Sequence, residues 1–237
     1  MGYLIFRGAS TESLNGVYIS KMPSHKKASM RYSEYYVKGR DGALHVDEGY
    51  ANFDLTATLI LVNASPNARQ LVNAWADGTG KLISSDQLGY AYRASVKEEV
   101  LWTRTPGNYV NGNLTFFDTA QVTWSCEPYM YEAVDTVLTL TGNESGVLNP
   151  GTATAIPMIQ VNGEGDVTFA INEQQVSLTG LTAGVPLYID CENGYVYTEQ
   201  GAATMTGDFP IFDFGVNNVI KGEGISSLVI TPHWRWI

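Results

Sequence analysis

The fold of this chain is decided by residues 137–166, which read VLTLTGNESGVLNPGTATAIPMIQVNGEGD. Short apolar and β-branched runs alternate here with Gly, Asn and Pro, the residues that terminate strands and form turns. Similar runs recur at spacings of roughly 8 to 12 residues as far as Ile237, which is typical of an all-β sandwich or jelly roll. The pattern predicts a C-terminal β-sandwich domain over residues 133–237.

The first half of the chain also shows mainly the period-two alternation of strands, most clearly in Phe53 to Val62. One segment has helical spacing instead. It is predicted to begin with Ser65 as N-cap and Pro66 in the first turn, and to stop at Gly78 or Gly80. Its apolar face comprises Ala68, Leu71, Val72 and Trp75. We therefore predict that residues 1–132 form a β-rich α+β domain with one amphipathic helix.

Three dipeptides in the second half are predicted to form hairpin turns, because Asn and Gly accept the positive φ angles that tight turns need. They are Asn162-Gly163, Ala183-Gly184 and Asn193-Gly194. The first belongs to a longer hairpin signal, Gly163-Glu164-Gly165-Asp166.

Several short motifs occur in a fixed order along the second half of the chain. They are Cys126-Glu127-Pro128-Tyr129, Ala155-Ile156-Pro157-Met158, Gly163-Glu164-Gly165-Asp166, Ile189-Asp190, Gly207-Asp208-Phe209-Pro210 and Gly215-Val216-Asn217. In order and spacing they resemble the distal tail proteins of long-tailed, non-contractile (siphovirus-type) bacteriophages. The first half shares only its architecture with that family.

The resemblance implies a structural role. Distal tail proteins form a ring of six copies through their first domains, with their galectin-like second domains projecting outward, and the resemblance implies the same ring here. Such a ring joins the tail tube to the tail-associated lysin and to the fibre or receptor-binding apparatus. The expected partners are other copies of the chain and these tail proteins. The expected location is the virion, at the tail tip, after assembly in the host cytoplasm.

Charge and hydropathy limit the other classes of function. The chain has 14 Lys plus Arg against 24 Asp plus Glu, a formal net charge of −10. An acidic surface repels phosphate backbones, which argues against nucleic-acid binding. No apolar run approaches the roughly 20 residues of a membrane-spanning helix, and Met1–Arg7 lacks the charge order of a secretory signal. Cys126 and Cys191 fall in different predicted domains, so reduced thiols are expected rather than a disulfide.

Catalytic and metal sites are not predicted. His25, His45 and His233 are scattered, and none has a partner at metal-ligand spacing. The chain has no Gly-x-Ser-x-Gly nucleophile motif. The acidic pair Glu98-Glu99 is expected to lie in a strand, where alternation would send the two carboxylates to opposite faces. We predict no catalytic, cofactor-binding or metal-binding residues, and no enzyme.

The aromatic content keeps a second function open. Five Trp and fourteen Tyr are available, and exposed aromatic rings can stack on sugars as well as anchor protein interfaces. The alternative function is a carbohydrate-binding module that recognises host cell-wall saccharide. Tyr90 and Tyr92 share one face of a strand and are candidates for a subunit or saccharide contact. Trp234 and Trp236 are expected to close the core of the second domain.

Overall fold

The computed structural model describes residues 2–62 and 67–237, and their side chains except at 108–110, 113–115 and 202. The chain divides into two compact units. The first unit is Met1–Ala133 with Ile237, and the second unit is Val134–Trp236. The division lies between residues 133 and 134, and the predicted one lay between residues 132 and 133.

The first unit is built mainly from strands. They are β1 (Leu4–Phe6), β2 (Ala9–Ser10), β3 (Val17–Lys21), β4 (Met30–Tyr35), β5 (Leu44–Tyr50), β6 (Phe53–Leu61), β7 (Thr79–Ser84), β8 (Tyr90–Val96), β9 (Leu101–Val110) and β10 (Asn113–Glu132). A 3-10 helix, Thr11–Ser13, follows β2, and the helix α1 spans Ala68–Trp75. The main sheet has the order β2-β1-β7-β8-β10-β6-β3, and β9 also pairs with β10. All these pairings are antiparallel.

The long strand β10 organises this sheet. Its middle pairs with β6, its first half with β9 and its second half with β8. The register with β8 shifts between Cys126 and Met130. Pro128 lies in this interval and has no N–H to donate to a neighbouring strand, so a β-bulge there is expected. The Cys126-Glu127-Pro128-Tyr129 motif is therefore the point at which β10 changes register.

The core of the first unit is centred on three aromatic rings in edge-to-face contact. The ring centroid of Trp124 lies 5.9 Å from that of Phe6 and 5.8 Å from that of Trp75. The indole N–H of Trp75 donates to the carbonyl of Ala9 at 2.9 Å, which ties the helix to β2. Edge-to-face pairs contribute stabilisation beyond the apolar area they bury.

The predicted helix is present but shorter than expected. Ala68, Val72 and Trp75 are buried as predicted, whereas Leu71 is 41% exposed at the margin of the buried face. The helix ends at Trp75, before Gly78, and Gly80 already belongs to β7. The predicted N-cap Ser65 and Pro66 lie outside the described residues.

The second unit consists of strands alone among its described elements. They are β11 (Leu138–Leu140), β12 (Glu144–Asn149), β13 (Met158–Gly163), β14 (Gly165–Ile171), β15 (Gln174–Leu181), β16 (Leu187–Asp190), β17 (Tyr195–Thr198), β18 (Gly201–Ala202), β19 (Met205–Thr206), β20 (Gly215–Lys221), β21 (Ile225–Thr231) and β22 (Arg235–Trp236). A six-stranded sheet has the order β11-β21-β13-β16-β17-β18, and a five-stranded sheet has the order β12-β20-β14-β15-β19. Alternate residues of both sheets contribute to one buried core. The predicted fold class, mainly β with one helix and a C-terminal β-sandwich, is confirmed.

The two C-terminal tryptophans belong to this core. Trp234 is buried, and its ring lies edge-on to Phe212 with a centroid distance of 5.4 Å. Trp236 is partly buried and packs against the same cluster. Both therefore fill space in the second unit, as the sequence predicts.

Two of the three hairpin predictions are wrong. β13 and β14 belong to different sheets, so Asn162-Gly163 and the Gly163–Asp166 segment carry the chain from one sheet to the other. Gly184 likewise lies between β15 of the five-stranded sheet and β16 of the six-stranded sheet. Glycine is needed at all these connections for close approach or positive φ, which is why they resemble hairpin turns in the sequence. Only Asn193-Gly194 closes a true hairpin, between β16 and β17.

A buried asparagine braces the loop that precedes β20. Asn217 is fully buried, and its amide group donates to the carbonyls of Asp213 and Gly215 at 2.9 and 3.0 Å. Its side-chain oxygen accepts from the N–H of Asp213 and from the amide of Asn172, both at 2.8 Å. The Gly215-Val216-Asn217 motif therefore supplies the hydrogen bonds that this loop would otherwise lack.

Candidate assembly surfaces

The most exposed part of the first unit is a hairpin formed by β4 and β5, here named the arm (residues 30–50). These two strands pair only with each other among the described residues, as a separate two-stranded sheet. A two-stranded hairpin is at best marginally stable in water, because it cannot bury an apolar face by itself. The arm is therefore a structure that needs a covering surface.

The arm presents an apolar face to solvent. Tyr35 pairs with Leu44 across the hairpin, and Val46 lies two residues further along the same face. These side chains are 56%, 37% and 50% exposed, respectively. The opposite face is more polar, with the ring of Tyr32 stacked on that of His45 at 5.0 Å. Contiguous exposed apolar side chains of this kind mark interaction surfaces.

The base of the arm is fixed to the main body of the first unit. The N–H of Ala51 donates to the carbonyl of Ser29 at 2.8 Å, which closes the hairpin at its root. Ala28 is buried, and the ring of Tyr50 contacts that of Tyr129 edge-on with a centroid distance of 6.0 Å. Because its root is anchored, the arm extends from a defined place.

Positive charge is concentrated in residues 21–40, the segment that leads into the arm together with the first strand of the arm and the residues that follow it. Six of the fourteen Lys and Arg residues fall between positions 21 and 40, where Glu34 is the one acidic residue. The six are Lys21, Lys26, Lys27, Arg31, Lys38 and Arg40. This basic segment is an exception in a chain of net charge −10. Opposite charges on two surfaces favour their encounter and fix their orientation.

Strand edges are the other surfaces available for assembly. β2 and β3 stand at the two ends of the main sheet order in the described part of the first unit. A strand at an edge exposes N–H and C=O groups that can extend a sheet onto another chain. On the edge strand β3, the side chain of Tyr18 is 42% exposed.

Tyr90 and Tyr92 do share one face of β8, and both line a small cavity of about 10 Å³. Their environments differ, however. Tyr92 is 8% exposed and packs edge-on against Phe53, with ring centroids 5.4 Å apart, so its ring belongs to the core. Burial raises the pKa of its hydroxyl. Tyr90 is 39% exposed. The suggested subunit or saccharide contact through these residues stays a prediction.

One histidine does meet a carboxylate. Nε2 of His25 lies 2.9 Å from Oδ2 of Asp86, and the hydroxyl of Ser84 donates to the other oxygen of Asp86. The Ser84 hydrogen bond lowers the pKa of Asp86, a hydrogen bond with His25 adds to this, and burial opposes it. The carboxylate separates the hydroxyl from the imidazole, so the imidazole cannot take the proton of Ser84 as a nucleophilic triad requires. The cluster ties the segment before the arm to the turn after β7.

The remaining candidates for chemistry lie apart. Glu98 and Glu99 stand in the connection between β8 and β9, not in a strand as predicted, because β8 ends at Val96 and β9 begins at Leu101. Cys126 and Cys191 are both free thiols, one in each unit. Within the described residues, no group of three or more His, Cys, Asp or Glu side chains converges as a metal site would require. Across the same residues, no helix is long and apolar enough to cross a membrane.

The second unit carries two exposed surfaces that sequence reasoning missed. On the five-stranded sheet, Leu148 pairs with Val216 across β12 and β20, and they are 62% and 78% exposed. On the six-stranded sheet, three tyrosines lie side by side: Tyr188, Tyr195 and Tyr197. The alternation in Tyr195-Val196-Tyr197 could have revealed part of the second surface, but the pairing of β17 with β16 could not be read from the sequence.

Comparison with known proteins supports the fold assignment. No protein-family model and no curated protein sequence matches this chain. Among solved structures, the chain is similar to the Dit (gp 19.1) protein of phage SPP1, presented as a paradigm of the hub adsorption apparatus in phages that infect Gram-positive bacteria. That similarity covers 100% of both chains with a TM-score of 0.75 and 14% sequence identity. A chain of the phage p2 baseplate in its activated conformation is similar over 97% of this chain and 98% of its own, with a TM-score of 0.50 and 8% identity.

These matches define a class of structure. The chain has the fold of a phage tail hub protein, and it has that fold over its whole length. The resemblance to distal tail proteins that the motifs indicate is thus confirmed at the level of the fold. At 14% identity, an individual role for each residue has to come from this chain's own geometry.

Proposed function

We propose that this protein is a structural component of a phage tail tip, in which six copies form a ring. The ring joins the tail tube to the tail-associated lysin and to the fibre or receptor-binding apparatus. It acts as a collar, and its function is geometric rather than catalytic. The likeness to the SPP1 hub protein over the whole chain supports the tail role. The number six, the partners and assembly in the host cytoplasm come from the family resemblance.

The observation that carries the proposal is the uncovered arm. A hairpin with Tyr35, Leu44 and Val46 exposed on one face is unfavourable in an isolated copy, since roughly 25 cal/mol is gained for each Å² of apolar surface removed from water. A second copy of the chain would supply that cover. Ring closure needs a heterologous contact, in which one surface meets a different surface of the neighbour. An arm that extends from a fixed root onto the adjacent copy satisfies this requirement.

The other surface of that contact can be described by its chemistry. It must accept an apolar strand face and complement the basic segment between residues 21 and 40. The edge strand β3 of the next copy could offer backbone pairing, and acidic residues elsewhere in the first unit could offer the opposite charge. A contact of this kind repeats from copy to copy until the ring closes.

Electron microscopy of the purified full-length chain, alone and mixed with its tail-tube protein, tests the proposal. We expect annular particles with sixfold symmetry, and we expect the annuli to cap the ends of tail tubes. Particles of monomer size under both conditions would contradict it. So would turnover of wall polymer that is abolished by replacing a single carboxylate, because a collar needs no such group.

A further inference from the structure

The outward face of the six-stranded sheet in the second unit carries a row of three tyrosines, here named the tyrosine ladder (Tyr188, Tyr195 and Tyr197). Tyr188 and Tyr197 are cross-strand partners, and their rings are stacked with centroids 5.2 Å apart and an interplanar angle of 20°. Tyr195 lies two residues before Tyr197 on the same strand, and the centroids of their rings are 5.5 Å apart. Each ladder residue alternates with a buried neighbour, so all three rings stand on the solvent side of the sheet.

The stacked rings of the ladder restrict one another, and the ring of Tyr195 at one end is the most exposed of the three. Tyr188 and Tyr197 are half-buried against each other, whereas Tyr195 is 51% exposed. Rings held in a stack have already lost much of their rotational freedom, so a ligand that binds them bears a smaller entropy cost. Tyr195 therefore offers an aromatic surface in a fixed position.

A buried carboxylate lies beside Tyr195. Asp190 is the cross-strand partner of Tyr195. Burial tends to raise the pKa of Asp190, but hydrogen bonds outweigh burial and hold it below its ordinary value. Its carboxylate accepts from the backbone N–H and the side-chain amide of Asn193, at 2.9 and 2.8 Å. The N–H of Glu192 and the hydroxyl of Tyr195 also donate to Asp190, which is only 7% exposed, so this carboxylate holds the ring of Tyr195 in position and is not itself open to a ligand.

A row of amides lies on the other side of the ladder. Gln160 is the cross-strand partner of Tyr188, and its side-chain amide donates to the oxygen of Asn162 at 3.1 Å. The amide of Asn162 donates in turn to the hydroxyl of Ser227 at 3.0 Å. A primary amide has two donor sites and two acceptor sites, more than this row uses, so it can also bind hydroxyl groups.

The charge of the second unit restricts the ligand. Residues 134–236 contain two Lys or Arg against eleven Asp or Glu. Both cations donate to backbone carbonyls, Lys221 to that of Ile225 and Arg235 to that of Thr154. Anionic ligands such as phosphate polymers are repelled by this unit. The ligand must be neutral, with a flat apolar side for the tyrosine ring and hydroxyl groups for the amides.

A pyranose ring has these features. Its C–H bonds carry partial positive charge on one flat side, which suits the negative face of an aromatic ring, and its hydroxyls project around the rim. We propose that the tyrosine ladder, with the amides of Gln160 and Asn162, binds a neutral oligosaccharide, and that Asp190 positions the ring of Tyr195 for it. Tyr195 provides the stacking surface, and the polar groups orient the sugar. This goes beyond the collar role and does not depend on ring formation.

Saturation-transfer NMR on the full-length chain tests the inference. The probes are hexasaccharides of glucose, galactose and N-acetylglucosamine, with a polyglycerol phosphate as the anionic comparison. We expect transfer to the pyranose protons of at least one neutral hexasaccharide and none to the polyanion. Tyr195→Ala should weaken that binding by about tenfold, a change of about 1.4 kcal/mol. Tyr195→Phe, which keeps the ring, should stay within about threefold of the natural chain.

Phe214→Ala is the matched control. Phe214 is also an exposed aromatic residue of the second unit, at 69%, but it is not part of the ladder. Its replacement should leave binding unchanged, and all three variants should be folded at the temperature of the binding measurement, although both Tyr195 variants lose a hydrogen bond to Asp190. The inference is overturned if no neutral hexasaccharide receives saturation, if Tyr195→Ala binds as well as the natural chain, or if only the polyanion binds.

Discussion

Each of the two units of this chain buries an apolar core of its own, and the two units differ in which apolar side chains stay exposed to solvent. Each has its own buried core with a tryptophan in edge-to-face aromatic contact, Trp124 in the first unit and Trp234 in the second. The first unit extends a hairpin whose apolar face is uncovered. Apart from β22, the described strands of the second unit form two sheets around one core. This difference agrees with the proposal that another copy of the chain covers the arm of the first unit.

The two units also differ in net charge. The first unit has twelve Lys or Arg against thirteen Asp or Glu, so the net charge of −10 resides almost entirely in the second unit. A near-neutral unit with a basic segment at residues 21–40 can associate with copies of itself without the repulsion that a uniformly acidic chain would suffer. Negative charge therefore disfavours nucleic-acid binding mainly at the second unit.

The largest expected effect comes from placing charge on the arm. The triple variant Tyr35→Asp, Leu44→Asp, Val46→Asp should abolish assembly, because carboxylates buried at a subunit contact without partners cost several kcal/mol. Light scattering should give the mass of one chain at every concentration tested. The matched control places the same charges on the second unit, as Leu148→Asp, Phe214→Asp, Val216→Asp. If that control also lost assembly, the proposed division of roles between the units would be wrong.

Replacing either core tryptophan should lower the unfolding free energy of its own unit and leave that of the other unit unchanged. Trp124→Ala should destabilise the first unit, and Trp234→Ala the second, by about 3–5 kcal/mol, the usual cost of removing a buried aromatic side chain. Thiol labelling can follow the two units separately, since Cys126 lies in the first and Cys191 in the second. Burial raises the pKa of both thiols to about 12, so at pH 8 each should react mainly when its unit opens.

The labelling rates of the two thiols show whether the two units unfold independently. Trp124→Ala should accelerate labelling of Cys126 and leave Cys191 slow, and Trp234→Ala should do the reverse. Equal acceleration of both thiols in either variant would show that the units unfold together, and would contradict the description of two independent cores.

A smaller effect is expected at Asn217. Asn217→Ala leaves the Asp213 and Gly215 carbonyls without their donor, which should cost the second unit about 1–3 kcal/mol. Asn218→Ala is the matched control, because the amide of Asn218 bonds Glu144 at the surface and is worth little there. Urea unfolding of both variants checks the difference, and equal losses would mean that the buried network does not brace the loop.

The smallest predicted effect concerns pH. The pKa of Asp190 is depressed in the folded chain, so its contribution to stability is present above the ordinary carboxyl pKa of 3.8 and is lost as the pH falls through the folded value. Asp190→Asn should therefore destabilise the second unit at pH 7 and have progressively less effect below pH 3.8. A difference in unfolding free energy that did not shrink in acid would contradict the assigned hydrogen bonds.

The sequence predicts the fold class because alternation and turn residues are local signals. Phe53 to Val62 and the Ala68–Trp75 helix are recognisable without tertiary information. Sheet membership is not local. A glycine between two strands is needed equally for a hairpin and for a passage between sheets, so the segment at Gly163 could not be assigned correctly.

The candidate surfaces were harder to predict for the same reason. The strand pattern of Tyr32 to Val37 is visible in the sequence, but it does not reveal that this strand leaves the main sheet as an arm. Tyr90 and Tyr92 share a face as predicted, yet exposure depends on what packs against each ring, and Phe53 comes from a distant part of the chain. The ladder depends on the pairing of β16 with β17, which places Tyr188 beside Tyr197.

Hydrogen exchange of the arm, measured below and above the concentration at which the chain assembles, tests most directly whether another copy covers it. Amides of residues 30–50 should exchange rapidly in the single chain, because an isolated hairpin opens easily. On assembly, their exchange should slow by roughly 100-fold, while amides of the second unit stay unchanged, since protection tracks the free energy of local opening. Assembly into rings with no change in exchange at the arm would contradict the account.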